Sequence, residues 1–163
     1  MKPLITIVTL VLLTSGVVAQ TNFSGTWAIK EKQTILGPEY VNALATSMKV
    51  QQNKDSLIIE SVSTGADNQE SRNRVAVPMN GQSVSNVSPS SGRKVSRSLK
   101  WSADKKVLTI TSPIAQAGNE NEIELTRIDT WTLSADGKEL IFNRKSVETV
   151  SESWEVKGVF VKQ

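Results

Sequence analysis

Charged residues interrupt apolar rows at three places in this chain. Ile123, Leu125, Arg127, Asp129, Trp131 and Leu133 follow one another at every second position. That spacing puts all six on one face of a β-strand. Arg97 stands in the same way between Val95 and the pair Leu99 and Trp101, and Arg144 follows Leu140 and Phe142. Burying a charge is costly unless it is paired. An arginine pointing into a barrel can hold a ligand carboxylate through its two-pronged donor geometry. Two other arrangements fit the same letters. Arg127 can pair with Asp129 near a rim, or the strand can bulge so that both face water. Arg127 and Arg144 are the expected polar contacts of a ligand pocket. Trp27, Trp131 and Tyr40 complete the candidate ligand contacts, the two tryptophans being core residues first. A buried indole contributes on the order of 2–3 kcal/mol through its area.

Other chemistry is excluded by what is missing. The chain has no histidine and no cysteine. The commonest general base and the commonest transition-metal ligand are therefore both absent. Neither a Ser-His-Asp nor a Cys-His site can form, and a zinc site of the usual type cannot either. Glu120, Glu122 and Glu124 alternate on one strand and imitate a carboxylate pair. Alternate carboxylates stand about 7 Å apart, and no glycine-bearing ligand loop surrounds them. They are expected to form a solvated face with Thr126. No constellation supports catalysis, so no enzyme, cofactor or metal is expected.

The elements that position these residues begin after a leader. Lys2, an apolar run over 4–13 and the small residues Val17, Val18 and Ala19 have the charged, apolar and small layout of a secretory signal peptide. The run is short of the roughly 20 residues a spanning helix needs. The expectation is cleavage near Ala19, export to the periplasm or the exterior, and no stable membrane insertion afterwards. Residues 1–19 are then signal and 20–163 a single domain. Cleavage removes Lys2, so 19 basic residues become 18 against 16 acidic ones. A surplus of two is no footprint for nucleic acid. Arg72 with Arg74, and Arg93 with Lys94 and Arg97, are the local basic clusters, expected as solvated faces or turns. Without cysteine, stability must come from packing alone. Asn22 and Asn86 each open an acceptor pattern for N-glycosylation, relevant only in a eukaryotic source.

The first strand is expected over residues 23–31, with Phe23, Trp27 and Ile29 on one face and Gly25 between the rings. Residues 33–44 break the strand pattern. Gly37-Pro38 signals a turn, and Tyr40, Val41 and Leu44 then follow at helical spacing. This predicts a helix of one to two turns, either a lid across an open barrel end or a connector on the outside. From Thr46 onward the chain reads as strands separated by turns every 10 to 15 residues or so, an antiparallel meander. Asn80-Gly81 is the strongest hairpin signal. Ser102-Ala103-Asp104 and Ser134-Ala135-Asp136 each follow a strand carrying a tryptophan, two hairpins of one design. The last strand, over 152–161, carries Trp154, Val156, Gly158 and Phe160 on one face. It is expected to pair with the first and close the sheet. Nine or ten strands are expected.

Gly25-Thr26-Trp27 on the first strand of an exported all-β chain resembles the Gly-x-Trp start of the lipocalin-like (calycin) barrels. The segment from Trp131 to Leu140, with Asp136-Gly137-Lys138, and the closing Val159-Phe160-Val161-Lys162-Gln163 resemble exported bacterial proteins of that type, of uncharacterised function. The resemblance implies an all-β, antiparallel up-and-down barrel of about 8–10 strands. It further implies a cup for a small apolar molecule, with Trp27 plugging the base; with the inward arginines, the expected partner is a small hydrophobic or carboxylated ligand. The function expected is an exported binding protein for a small hydrophobic or amphipathic ligand. The alternative is an exported, non-catalytic interaction module, its barrel packed solid and apolar positions exposed on loops such as 82–91.

Overall fold

The computed structural model describes residues 19–38, 43–65, 68–89 and 91–163. Residues 1–18 of the expected signal segment, and Tyr40, lie outside them. Ten strands form one antiparallel sheet. They are β1 (Gly25–Leu36), β2 (Ser47–Gln52), β3 (Ser56–Thr64), β4 (Glu70–Pro78), β5 (Val84–Val87), β6 (Lys94–Trp101), β7 (Leu108–Gln116), β8 (Asn119–Leu133), β9 (Glu139–Glu148) and β10 (Trp154–Lys162). The sheet order is β4-β3-β2-β1-β10-β9-β8-β7-β6-β5. This is an up-and-down meander whose last strand returns to its first, with Trp27 opposite Lys162 and Ile29 opposite Phe160. The barrel is nearly closed. A seam remains between β4 and β5, consecutive in the chain but not hydrogen-bonded to each other.

Two expectations fail here. The strand does not break at Gln33. β1 runs on to Leu36, with Thr34 opposite Val156 and Leu36 opposite Glu155. The β-branched Thr34 and Ile35 favour that extended backbone, and the chain turns only at Gly37, where φ is +81°. No α-helix occurs among the described residues, and the Tyr40–Val41 part of the expected helix lies outside them. Asn80-Gly81 does turn, with Gly81 at φ +80°, but it does not build a hairpin. Met79 N–H donates to the Asp55 carbonyl and Gln82 N–H to the Asn80 side chain. A Cβ on Gly81 would lie 3.3 Å from the Leu99 carbonyl oxygen. These contacts tie the turn to its surroundings, and β4 approaches β6 across the seam.

The interior has two unlike halves. One end gathers the starts of β1, β3, β7 and β9 and the ends of β4, β6, β8 and β10. Phe23, Trp27, Leu57, Val77, Leu108, Leu140 and Phe160 are fully buried there. Phe23 stacks on Trp101 and meets Trp131 edge-on. The Trp27 indole N–H donates to the Phe23 carbonyl at 3.0 Å, so the tryptophan plugs this end with its polar atom satisfied. The turns at 102–107 and 134–139 match bond for bond. In each the serine hydroxyl bonds the aspartate, and serine and aspartate oxygens accept backbone N–H groups.

Candidate functional site

Register decides which side chains meet in the other half. Ser112 lies opposite Arg127, and Arg127 opposite Ser146. The pairs Val95–Ile114 and Ser98–Thr111 place Arg97 opposite Ser112. One interior row therefore reads Arg97, Ser112, Arg127, Ser146 across four strands. Each small serine leaves room for the long arginine beside it. In the next row Ile110 lies opposite Asp129, and Asp129 opposite Arg144. Beyond them Trp131 lies opposite Phe142, which begins the apolar half.

These rows line a cavity of about 460 Å³, within the roughly 300–1,000 Å³ usual for small-molecule sites. Its apolar wall includes Met48, Ile59, Ile110, Trp131, Phe142 and Phe160; its polar wall carries Arg93, Arg97, Arg127, Asp129 and Arg144. Arg127, Trp131 and Arg144 thus stand together at one cavity. Trp27 does not line it and belongs to the plug.

Arg72 reaches the cavity from its exposed side, and the other four arginines differ in what holds them. Arg144 grips Asp129 with two bonds, Nε to Oδ1 and a terminal nitrogen to Oδ2, both 2.7 Å. Its other terminal nitrogen donates to the Ala43 carbonyl at 2.7 Å. It therefore pins the segment before β2, whose Leu44 is buried and whose Ala43 and Ala45 line the cavity. Burial works against the Arg144 charge, but the charge of Asp129 and its hydrogen bonds outweigh that and raise the guanidinium above its usual range. Arg93 pairs with Glu124 at 2.7 Å and donates from Nε to the Ala115 carbonyl.

Arg97 and Arg127 have no carboxylate within ion-pair distance among the described residues. Arg97 donates to the Asn86 side chain. Burial lowers its pKa; Asp129 opposes that shift and Arg144 adds to it. Arg127 is lowered first by burial and then by repulsion from Arg144, against the pull of Asp129. Its Nε is buried with no hydrogen-bond partner. Four residues on, the buried indole N–H of Trp131 is also unpartnered. Leaving a buried donor unpaired costs about 1–3 kcal/mol. Both orphans on this strand face are donors, so the cavity is short of acceptors and of negative charge.

Several readings of single residues change. Asp129 does pair, but with Arg144 across the strands rather than with Arg127 along its own. Arg93 and Arg97 are no solvated cluster, since both line the cavity. Arg72 and Arg74 are exposed and pair with Glu70 and Glu60. Glu120 and Glu122 are solvated as expected, whereas Glu124 turns to Arg93, where the β7–β8 register shifts after Ile114. Arg93 and Asn86 were missed as pocket residues because only register across strands brings them in. Arg97 carried the same two-residue signal as Arg127.

No protein-family model matches this chain, and no curated protein matches it. Among the described residues no helix is long and apolar enough to cross a membrane, and no three acidic, histidine or cysteine residues are grouped to hold a metal.

Proposed function

We propose that this chain is an exported, non-catalytic binding protein of the lipocalin-like kind, and that it takes a small amphipathic ligand carrying a negative charge. Arg127 is the observation that carries this reading. It is mostly buried, it faces the cavity, and no carboxylate among the described residues lies within ion-pair distance of it. Arg97 stands one strand beyond Ser112, likewise without a carboxylate partner among the described residues, though it donates to the Asn86 side chain. A ligand anion between them satisfies the donors that the fold leaves unpaired, while its apolar part lies along Ile59, Ile110 and Trp131. Arg144 is a positioning residue in this arrangement, because Asp129 and Ala43 already occupy its donors.

The test compares dodecanoate with dodecanol. Hydrogen bonds to a charged group contribute about 1.5–3 kcal/mol, so Arg127→Ala should weaken dodecanoate at least ten-fold and leave dodecanol unchanged. Titration calorimetry reads both. Equal losses for the two ligands, or none, would remove the anion from the argument. The packed-barrel interaction module remains the second reading on one observation: Val84 and Val87 are exposed on β5. The cavity is what that reading does not expect.

A further inference from the structure

The sheet stops at the seam, and the seam and the cavity are one space. Ser71, Asn73 and Val75 of β4 and Asn86 of β5 line the cavity. β4 pairs with β3 along its whole length, from Ser56 opposite Pro78 to Thr64 opposite Glu70, with no bulge. In an antiparallel ladder, residues alternate between bonding a neighbour and pointing away from it. Alternate N–H and C=O groups of β4 therefore point into the seam. Natural sheets blunt such edges with proline, bulges or inward charges. The one proline of β4 is Pro78, at its last position, near the turn where the seam is tied to β6. Among the described residues the rest of the edge makes no backbone hydrogen bond across the seam. Val75 and Pro89 apart, the seam walls are amides and hydroxyls rather than apolar groups. An alkyl chain gains nothing from them, whereas a peptide backbone gains hydrogen bonds. At the inner end wait Arg97 and Arg127, with an apolar wall beyond.

We propose that the occupant is the free C-terminal end of an extended peptide. Its terminal carboxylate lies between Arg97 and Arg127, and its last side chain packs on Ile110 and Trp131. The preceding backbone leaves through the seam as an eleventh strand beside β4, the strand-addition mode of peptide recognition. Arg72, exposed at the seam and held only by a surface pair with Glu70 at 3.4 Å, favours an acidic residue upstream, since such exposed pairs are weak. This inference rests on the anion-binding reading of Arg127 given above, and it replaces a free amphiphile by a peptide terminus.

The probe is the acetylated hexapeptide Glu-Thr-Ser-Val-Thr-Leu with a free carboxylate. Its C-terminal amide, two forms N-methylated at one or the other alternate set of amides, and dodecanoate complete the series. The free acid should bind, the amide at least ten-fold more weakly, and one N-methylated form at least ten-fold more weakly than the free acid. Amide hydrogen exchange over residues 70–75 should slow at least ten-fold with the peptide and stay unchanged with dodecanoate. If dodecanoate binds and the peptide does not, the seam proposal falls and the amphiphile reading stands. If neither binds, both fall. If both N-methylated forms bind like the parent, or the amide binds like the acid, the added strand with its clamped terminus is refuted.

Discussion

Replacing Asp129 by asparagine should cost this protein about 3–5 kcal/mol, and an anionic ligand should restore part of it. The side chains of Arg144 and Asp129 are only 22% and 13% exposed, so solvent screens the pair little. Two charges about 4 Å apart interact by roughly 4 kcal/mol at an effective dielectric constant of 20. Removing one partner of a buried pair costs about 3–5 kcal/mol, because the other charge stays buried. Here the loss is compounded, since Arg97 and Arg127 also draw on Asp129. Three guanidinium groups would face one cavity with no acid among them. For a domain of this size the midpoint of thermal unfolding should fall by roughly 10 °C or more. Urea unfolding followed by tryptophan fluorescence measures the loss directly. Saturating dodecanoate should stabilise Asp129→Asn more than the parent chain, because it supplies the missing negative charge. The double variant Asp129→Leu with Arg144→Met should come within about 2 kcal/mol of the parent, as apolar replacements of buried pairs do. A single-variant loss below 1 kcal/mol, or a ligand that stabilises parent and variant equally, would refute the account of this cluster.

Four further outcomes follow from particular positions. Gly158→Ala should destabilise by about 1–3 kcal/mol in urea unfolding, since the new methyl group would lie 3.0 Å from Leu44 Cδ1 and Phe160 Cε2 and 3.1 Å from Ile29 Cδ1. Gly137→Lys should cost only about 1 kcal/mol of backbone strain; φ is +70° and the space around it is open, and the matching turn already holds Lys105 at φ +55°. Gly37→Ala should cost more than Gly137→Lys by the same assay, because at φ +81° its methyl group would also stand 2.9 Å from Trp154 Cβ. Asp104 and Asp136 are held below the usual carboxylate range, first by the hydroxyls of Ser102 and Ser134 and then by backbone N–H groups. A depressed folded pKa contributes stability that is present above the unfolded pKa and lost as pH falls through the folded one. The double variant Asp104→Asn with Asp136→Asn should therefore lose stability less steeply than the parent below about pH 4; parallel acid-unfolding curves would contradict this.

Period-two reading found what one strand can reveal. The inward face of β10, the plug tryptophan, the two Ser-Ala-Asp turns and the return of the last strand to the first are all legible in the letters, whereas the letters of β8 leave open which of its faces points inward. What register decides is not legible. Arg144 meets Asp129 because β9 aligns with β8 at that offset, and nothing local to either strand states the offset. Serines 112 and 146 look like surface residues until register sets Ser112 between Arg97 and Arg127 and Ser146 beside Arg127. The segment after Lys32 misleads for another reason. Gly37-Pro38 is a real turn, but tertiary pairing with β10 carries the strand up to it through residues of mixed pattern. Asn80-Gly81 misleads most. A hairpin signal specifies the turn, whereas pairing of the flanking strands depends on edges that the rest of the barrel has already placed.

The seam follows from the same economy of contacts. The plug end is stabilised by large apolar side chains and needs no help from the seam, since Phe23, Trp27, Val77 and Leu108 meet there from both sides of it. The arginine half has no such reserve. Closing the barrel there with a ladder between β4 and β5 would shut the cavity laterally, and Arg97 and Arg127 would keep their charges with no route for a counter-ion longer than the interior. An open seam leaves a few backbone groups to water, which costs little at a surface, and gives an extended anion access to the two unpaired guanidinium groups. On this argument, adding a β4–β5 ladder would raise stability and lower affinity together.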